Sequence, residues 1–214
     1  MLTIYAIPVS LYSAKLRILL RHKNLEWQEI EPPGGYGSDK YKKIVPSGNL
    51  PALEDDGLLI GDSEAIAEYL NEKHPDPPML PQKPEDRAKI RELSRFHDTR
   101  LEPEVRKLFP HIEPGNRNAE IAEKQSSAIN GRLAQLARLI GERSENAHLT
   151  LGDCGYPITF TWIELLQPVL GLDIVWPAAV SDYRRRVSAF PAVAAELHTY
   201  RPTLETWLAS RLGQ

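Results

Sequence analysis

Apolar positions follow two alternating rhythms in the first third of this chain and one rhythm in the rest. Leu2 to Ala6 is a short apolar run that predicts a strand, Leu11 to Lys23 reads as a helix, and Trp27 to Ile30 as a second strand. Further on, Ala52 to Glu54 and Leu58 to Ile60 flank Asp55-Asp56-Gly57. Asp-Gly suits a type I′ turn, whose central residues need positive φ, so these two runs predict an antiparallel hairpin. Asp62-Ser63 then offers an N-cap to a helix that carries Ile66, Ala67 and Leu70 on one face. The order is β-α-β, a loop, then β-β-α.

Repeated prolines between His74 and Pro84 remove backbone donors and predict a linker over the surface. Beyond it the pattern is helical throughout. A long helix is expected from about Glu85 to Phe109, bent at Pro103. Ile129, Leu133, Leu136 and Ile140 recur at three- and four-residue intervals on a helix ended by Gly141. Thr150-Leu151-Gly152-Asp153 reads as a variant capping box that starts a central helix, and Ser188-Ala189-Phe190-Pro191 opens the last one, in which Trp207 reads as packing. The expected domains are residues 1–76, of α/β type, and 85–214, a helical bundle.

The 214 residues carry 42% hydrophobic and 26% charged side chains, ordinary globular usage, and a net charge of −3. That balance gives no general attraction to phosphate backbones, so nucleic acid is not an expected partner. No apolar run approaches the roughly 20 residues of a membrane span. The N-terminal apolar run stops at Pro8 without a basic segment before it, which leads us to expect a cytoplasmic protein. Cys154 is the single cysteine. It excludes an intrachain disulfide or a Cys-x-x-Cys site, and no metal is expected. The stretch Pro32-Pro33-Gly34-Gly35-Tyr36-Gly37 is not placed at a strand-to-helix turn, so it reads as a flexible loop and not a phosphate cradle.

Val45-Pro46-Ser47-Gly48-Asn49-Leu50-Pro51-Ala52-Leu53 resembles the Asn-Pro-x-Gly-x-Val-Pro-x-Leu segment of cytosolic glutathione transferases. Gly61-Asp62-Ser63-Glu64-Ala65-Ile66 resembles their Glu-Ser-x-Ala-Ile segment. The proline linker, the helical second half, Thr150-x-x-Asp153 and Phe190-Pro191-Ala192-Val193 extend the likeness over nearly the whole chain. The resemblance implies a thioredoxin-like domain with a cis-proline at Pro51, followed by an all-helical domain. It also implies glutathione as co-substrate, a small electrophile as second substrate, and a homodimer.

Site residues follow from the same resemblance. Ser10 occupies the place of the serine that contacts the glutathione sulfur in the tau and zeta classes. A hydroxyl donor beside a helix N-terminus favours thiolate over thiol. As residues alone, Ser10 reads first as a plain N-cap, which serine favours, and Ser13 is the second candidate. Leu50, before Pro51, would pair its backbone with the tripeptide, in the manner of an added strand. Asp62 and Ser63 would meet the γ-glutamyl end. Asn49, helped by Lys42 or Lys40, would meet the glycine carboxylate. Asp98 resembles an acidic position that in some classes reaches across to the neighbouring subunit. The second substrate is expected between the first helix and the long helix, near Tyr12, His97, Leu101 and Val105. A non-catalytic binding or dimerisation module on this fold is the alternative. Cysteine-based thiol exchange is disfavoured, since Ser10 stands where such enzymes place their cysteine.

Overall fold

The computed structural model describes residues 1–141 and 148–213. Strand β1 (Leu2–Tyr5) runs through a turn into helix α1 (Leu11–His22), and β2 (Trp27–Ile30) returns parallel to β1 with Leu2 opposite Trp27. Ser10 caps α1 by accepting the Ser13 N–H at 3.3 Å, while Arg21 and His22 in the last turn complement the helix dipole. A one-turn helix α2 (Asp39–Lys42) precedes β3 (Ala52–Asp55), β4 (Leu58–Ile60) and α3 (Ser63–Lys73). β3 lies antiparallel to β1 and β4 antiparallel to β3, so the sheet order is β2-β1-β3-β4. Asp56 and Gly57 have φ of 49° and 87°, as the predicted hairpin turn requires.

Helices α4 (Pro84–Phe96), α5 (Glu102–Arg106), α6 (Ala119–Gly141), α7 (Tyr156–Leu170), α8 (Ala178–Ser188) and α9 (Pro191–Leu212) make up the rest. The fold is thus a thioredoxin-like α/β unit followed by a helical bundle. Buried apolar side chains run without a break from Ile4 and Leu53 in the sheet, through Ile18 of α1, to Ile163 of α7 and Leu204 of α9. Among the described residues, no helix is long and apolar enough to cross a membrane.

Three local expectations change. The long helix is broken at His97–Leu101, a π-helical turn in which the Glu102 N–H bonds back to the His97 carbonyl. Pro103 has no N–H to continue the ladder, and the π-helical turn lies directly before it. The proline segment does run over the surface, with residues 75–78 exposed, but it is pinned there and at Met79 instead of hanging free. Buried Lys23 donates to the His74 carbonyl at 2.6 Å and the Pro77 carbonyl at 2.9 Å, and Met79 is fully buried. The capping box holds a short 3₁₀ turn, Leu151–Asp153, with the Asp153 carboxylate accepting the Thr150 N–H at 2.9 Å and the Tyr183 hydroxyl at 2.8 Å. Helix α7 starts just beyond that turn, at Tyr156. Gly155, between the two, faces the His97 ring so closely that a Cβ would lie 2.4 Å from it.

Candidate active site

A cavity of about 680 Å³ opens between the sheet half and the helical half. Ser10, Asn49, Leu50, Asp62 and Ser63 all line it, although they come from three separate segments of the chain. Pro51 lies behind them, and the Leu50–Pro51 bond is cis.

Each of these residues has a local reason for its place. Fully buried Tyr41 donates to the Asn49 carbonyl at 2.9 Å and so fixes the segment that enters β3; burial pushes its hydroxyl up to about 12, which keeps it a donor. At Gly61 a Cβ would come within 2.8 Å of the Val45 side chain, so only glycine lets β4 pass into α3 here. Asp62 caps α3 through one carboxylate oxygen, which accepts the N–H groups of Glu64 and Ala65 at 3.0 and 2.9 Å. Ser63 opens the helix, whose N-terminus faces the cavity.

The two readings of Ser10 turn out to be compatible. Its Oγ accepts the Ser13 N–H, and a hydroxyl that accepts one bond still has its own proton to donate. Ser13 does not share the place: it is 1% exposed and does not line the cavity. Lys42 is not brought to the cavity either. Helix α2 turns Tyr41 inward, so Lys40 and Lys42 face outward, and the Lys42 stem packs over Gly48. Of the residues expected at the glycine end, only Asn49 reaches the cavity wall.

Beneath this wall lies a charged cluster that the sequence did not reveal. Lys15, 3% exposed, donates to Glu64 at 2.8 Å and to Asp98 at 2.9 Å, and Ser94 donates to Glu64 at 2.7 Å. Burial alone would lower the Lys15 pKa, yet the two carboxylates hold it above the usual lysine range. Asp98 therefore turns onto partners of its own chain: Lys15, and His97 at 2.7 Å. His97 is buried, and its other ring nitrogen meets the Thr159 hydroxyl at 2.7 Å.

Burial acts to raise the Asp98 pKa, but the His97 hydrogen bond and the Lys15 charge outweigh it and hold the carboxyl at about 2. The folded value lies below the unfolded value of about 4, so this stabilisation is complete above pH about 4 and disappears as pH falls through about 2. Denaturant midpoints measured across that range should fall less steeply with acid in Asp98→Asn than in the parent. Parallel curves would remove Asp98 from the acid response.

The wall facing α1 differs from expectation by one residue of helical rotation. Tyr12 lines the cavity, but His97, Leu101 and Val105 point into the core. Asp98, Glu102, Arg106 and Phe109 line it instead. Leu101 and Val105 are fully buried and serve the core, not the pocket. Tyr12 donates to Glu102 at 3.1 Å, and burial together with the Glu102 and Asp98 charges pushes its hydroxyl up, so it stays protonated. Arg106 pairs with Glu102 and lies over the rings of Tyr12 and Phe109, 5.7 and 5.5 Å from their centroids. Trp162 and Trp207 complete this side, with Phe109 stacked 4.4 Å from Trp162. The packing role read for Trp207 holds, against Trp162 at 5.7 Å, but it also forms cavity wall.

Cys154 is buried away from the cavity, and burial pushes its thiol up, out of the range of a nucleophile. Among the described residues, no group of His, Cys, Asp and Glu side chains is arranged to hold a metal ion.

Residues 4–78 match the family model for the glutathione S-transferase N-terminal domain. Over 191 residues the chain is 29% identical to the stringent starvation protein A homolog of Coxiella burnetii, covering 88% of this chain and 87% of that one. It is 33% identical over 96 residues to the maleylacetoacetate isomerase of Dictyostelium discoideum, a match that spans 42% of this chain and 44% of that protein. Among solved structures, a glutathione S-transferase from Methylobacterium radiotolerans in complex with glutathione sulfonate aligns with a TM-score of 0.72 at 28% identity, over 91% of this chain and 93% of that one.

Proposed function

The chain belongs to the cytosolic glutathione transferase superfamily, and from that premise we propose that it binds glutathione in this cavity and uses the activated sulfur on a small apolar electrophile. The observation that carries the reading is the convergence of the Ser10 hydroxyl, Leu50 and the Asp62–Ser63 helix start on one cavity. In this reading Asp62 and Ser63 hold the γ-glutamyl end, the Leu50 backbone pairs with the cysteinyl residue, and Asn49 takes the glycine carboxylate. Ser10 donates a hydrogen bond to the sulfur and, with the N-terminus of α1, favours loss of the thiol proton to solvent. The thiolate then forms a carbon–sulfur bond as the leaving group departs with the bonding pair. Tyr12, Phe109, Trp162 and Trp207 offer an apolar surface for the acceptor.

The likeness to a maleylacetoacetate isomerase favours a second reading on the same site. There the thiolate adds to a cis-alkene acid and is expelled after rotation, so glutathione is recovered unchanged. A cytoplasmic location and a two-fold dimer belong to the same proposal.

Calorimetric titration with glutathione tests the reading, with saturable heat at millimolar ligand or below expected. No saturable binding would leave the fold as a non-catalytic binding or dimerisation module. Given binding, net consumption of glutathione marks conjugation, and turnover without consumption marks isomerisation.

A further inference from the structure

The turn that carries Ser10 belongs to no helix or strand, yet four consecutive carbonyls in it have donors. Ile7 receives the Ser10 N–H at 3.1 Å and Ser10 receives the Ala14 N–H at 3.0 Å, both local bonds. The two carbonyls between them are met by side chains: Pro8 by Arg17 at 3.2 Å and Val9 by the Tyr200 hydroxyl at 3.0 Å. Both of those side chains depend on α9. Arg17 is held by Glu196 at 2.6 Å, and Tyr200 lies one helical turn beyond Glu196.

The bond to Val9 has a forced direction. The Trp162 indole N–H can only donate, and it reaches the Tyr200 oxygen at 2.8 Å. The Val9 carbonyl can only accept, so the single Tyr200 proton must go to it. Tyr200 is 2% exposed, so water does not compete for this bond. The Val9 carbonyl shares a planar peptide unit with the Ser10 nitrogen. With the Ser10 carbonyl held on its other side by the Ala14 N–H, fixing that plane fixes the Ser10 φ of −67° and with it the direction in which the side chain leaves the backbone, from a residue 191 positions away in sequence.

We propose that Tyr200, oriented by Trp162, is a positioning residue for Ser10 and fixes the geometry in which the Ser10 hydroxyl donates to the bound sulfur. The inference rests on the glutathione reading of the site. It makes the last helix part of the activating apparatus, acting through the backbone of the turn that carries Ser10.

Tyr200→Phe keeps the ring and removes the hydroxyl. Thiolate absorbance of the binary glutathione complex, followed against pH, is expected to shift the bound thiol pKa up by about one unit. The limb of the kcat/KM profile that reports the thiol should move with it, while glutathione affinity changes little. In a Ser10→Ala background the same substitution should leave the thiol pKa unmoved, because the two residues act through one bond. A folded Tyr200→Phe with an unshifted titration, or an equal shift in both backgrounds, would overturn the proposal. A purely structural role would lower the thermal midpoint alone. Should Tyr200→Phe not fold, Trp162→Phe leaves the Tyr200 hydroxyl in place but unoriented. A smaller shift of the same sign is then expected, and no shift overturns the proposal. Saturable glutathione binding to the parent is measured first: its absence overturns both readings, and its presence confines any failure to Tyr200.

Discussion

Ser10→Ala should lower kcat/KM with a generic electrophile by about 10²–10³-fold, the usual cost of removing one well-placed donor to a developing or bound anion. The thiol of bound glutathione should titrate at higher pH in the same variant. Ser10 also caps α1, and loss of a cap costs about 1 kcal/mol of stability. Ser10→Gly separates the two roles, because glycine forfeits only a few tenths of a kcal/mol as a cap. If the hydroxyl acts on sulfur, Ser10→Gly loses as much activity as Ser10→Ala while its thermal midpoint stays near the parent's. If capping is the whole role, Ser10→Gly keeps most of its activity.

The largest loss of stability is expected at Lys15. Lys15→Met removes the cation that Glu64 and Asp98 share in a buried site, leaving Asp98 the more distant Arg95 at 3.7 Å, and breaking such a pair costs about 3–5 kcal/mol. For a chain of this length that is roughly 6–20 °C in thermal midpoint. Adding Glu64→Gln and Asp98→Asn to Lys15→Met should recover part of the loss, since the stranded charges are then gone. A Lys15→Met midpoint within about 2 °C of the parent would show that the cluster contributes little to stability. The cluster joins α1, α3 and the π-helical turn after α4, the elements around the cavity. Its loss should therefore also weaken glutathione binding.

How much of this was legible in the sequence depended on the range of the signal. The Asp56-Gly57 turn and the caps at Ser10 and Asp62 were readable because each is set by a few neighbouring residues, whereas the cis bond at Pro51 was readable only through the resemblance of its whole segment. Their convergence on one cavity was readable only through the order and spacing of whole segments. Lys42 was misplaced because a single-turn helix decides which way its neighbours face, and Tyr41 takes the inward direction. The inward face of the broken helix was misassigned because apolar residues serve a core and a pocket equally well. Asp98 and Arg106 reach the cavity where His97 and Val105 were expected. The Lys15 cluster and the Tyr200 bond to Val9 join residues 49 to 191 positions apart. No periodicity in a single sequence marks such pairs.

Glutathione activation is tested most directly by ultraviolet titration of the thiolate in the binary complex. The structure leads us to expect a thiolate signal that saturates with glutathione and titrates below the range of the free thiol, about 8.5 for an ordinary cysteine. A bound thiol that titrates like free glutathione, or no saturable signal at all, would contradict the account.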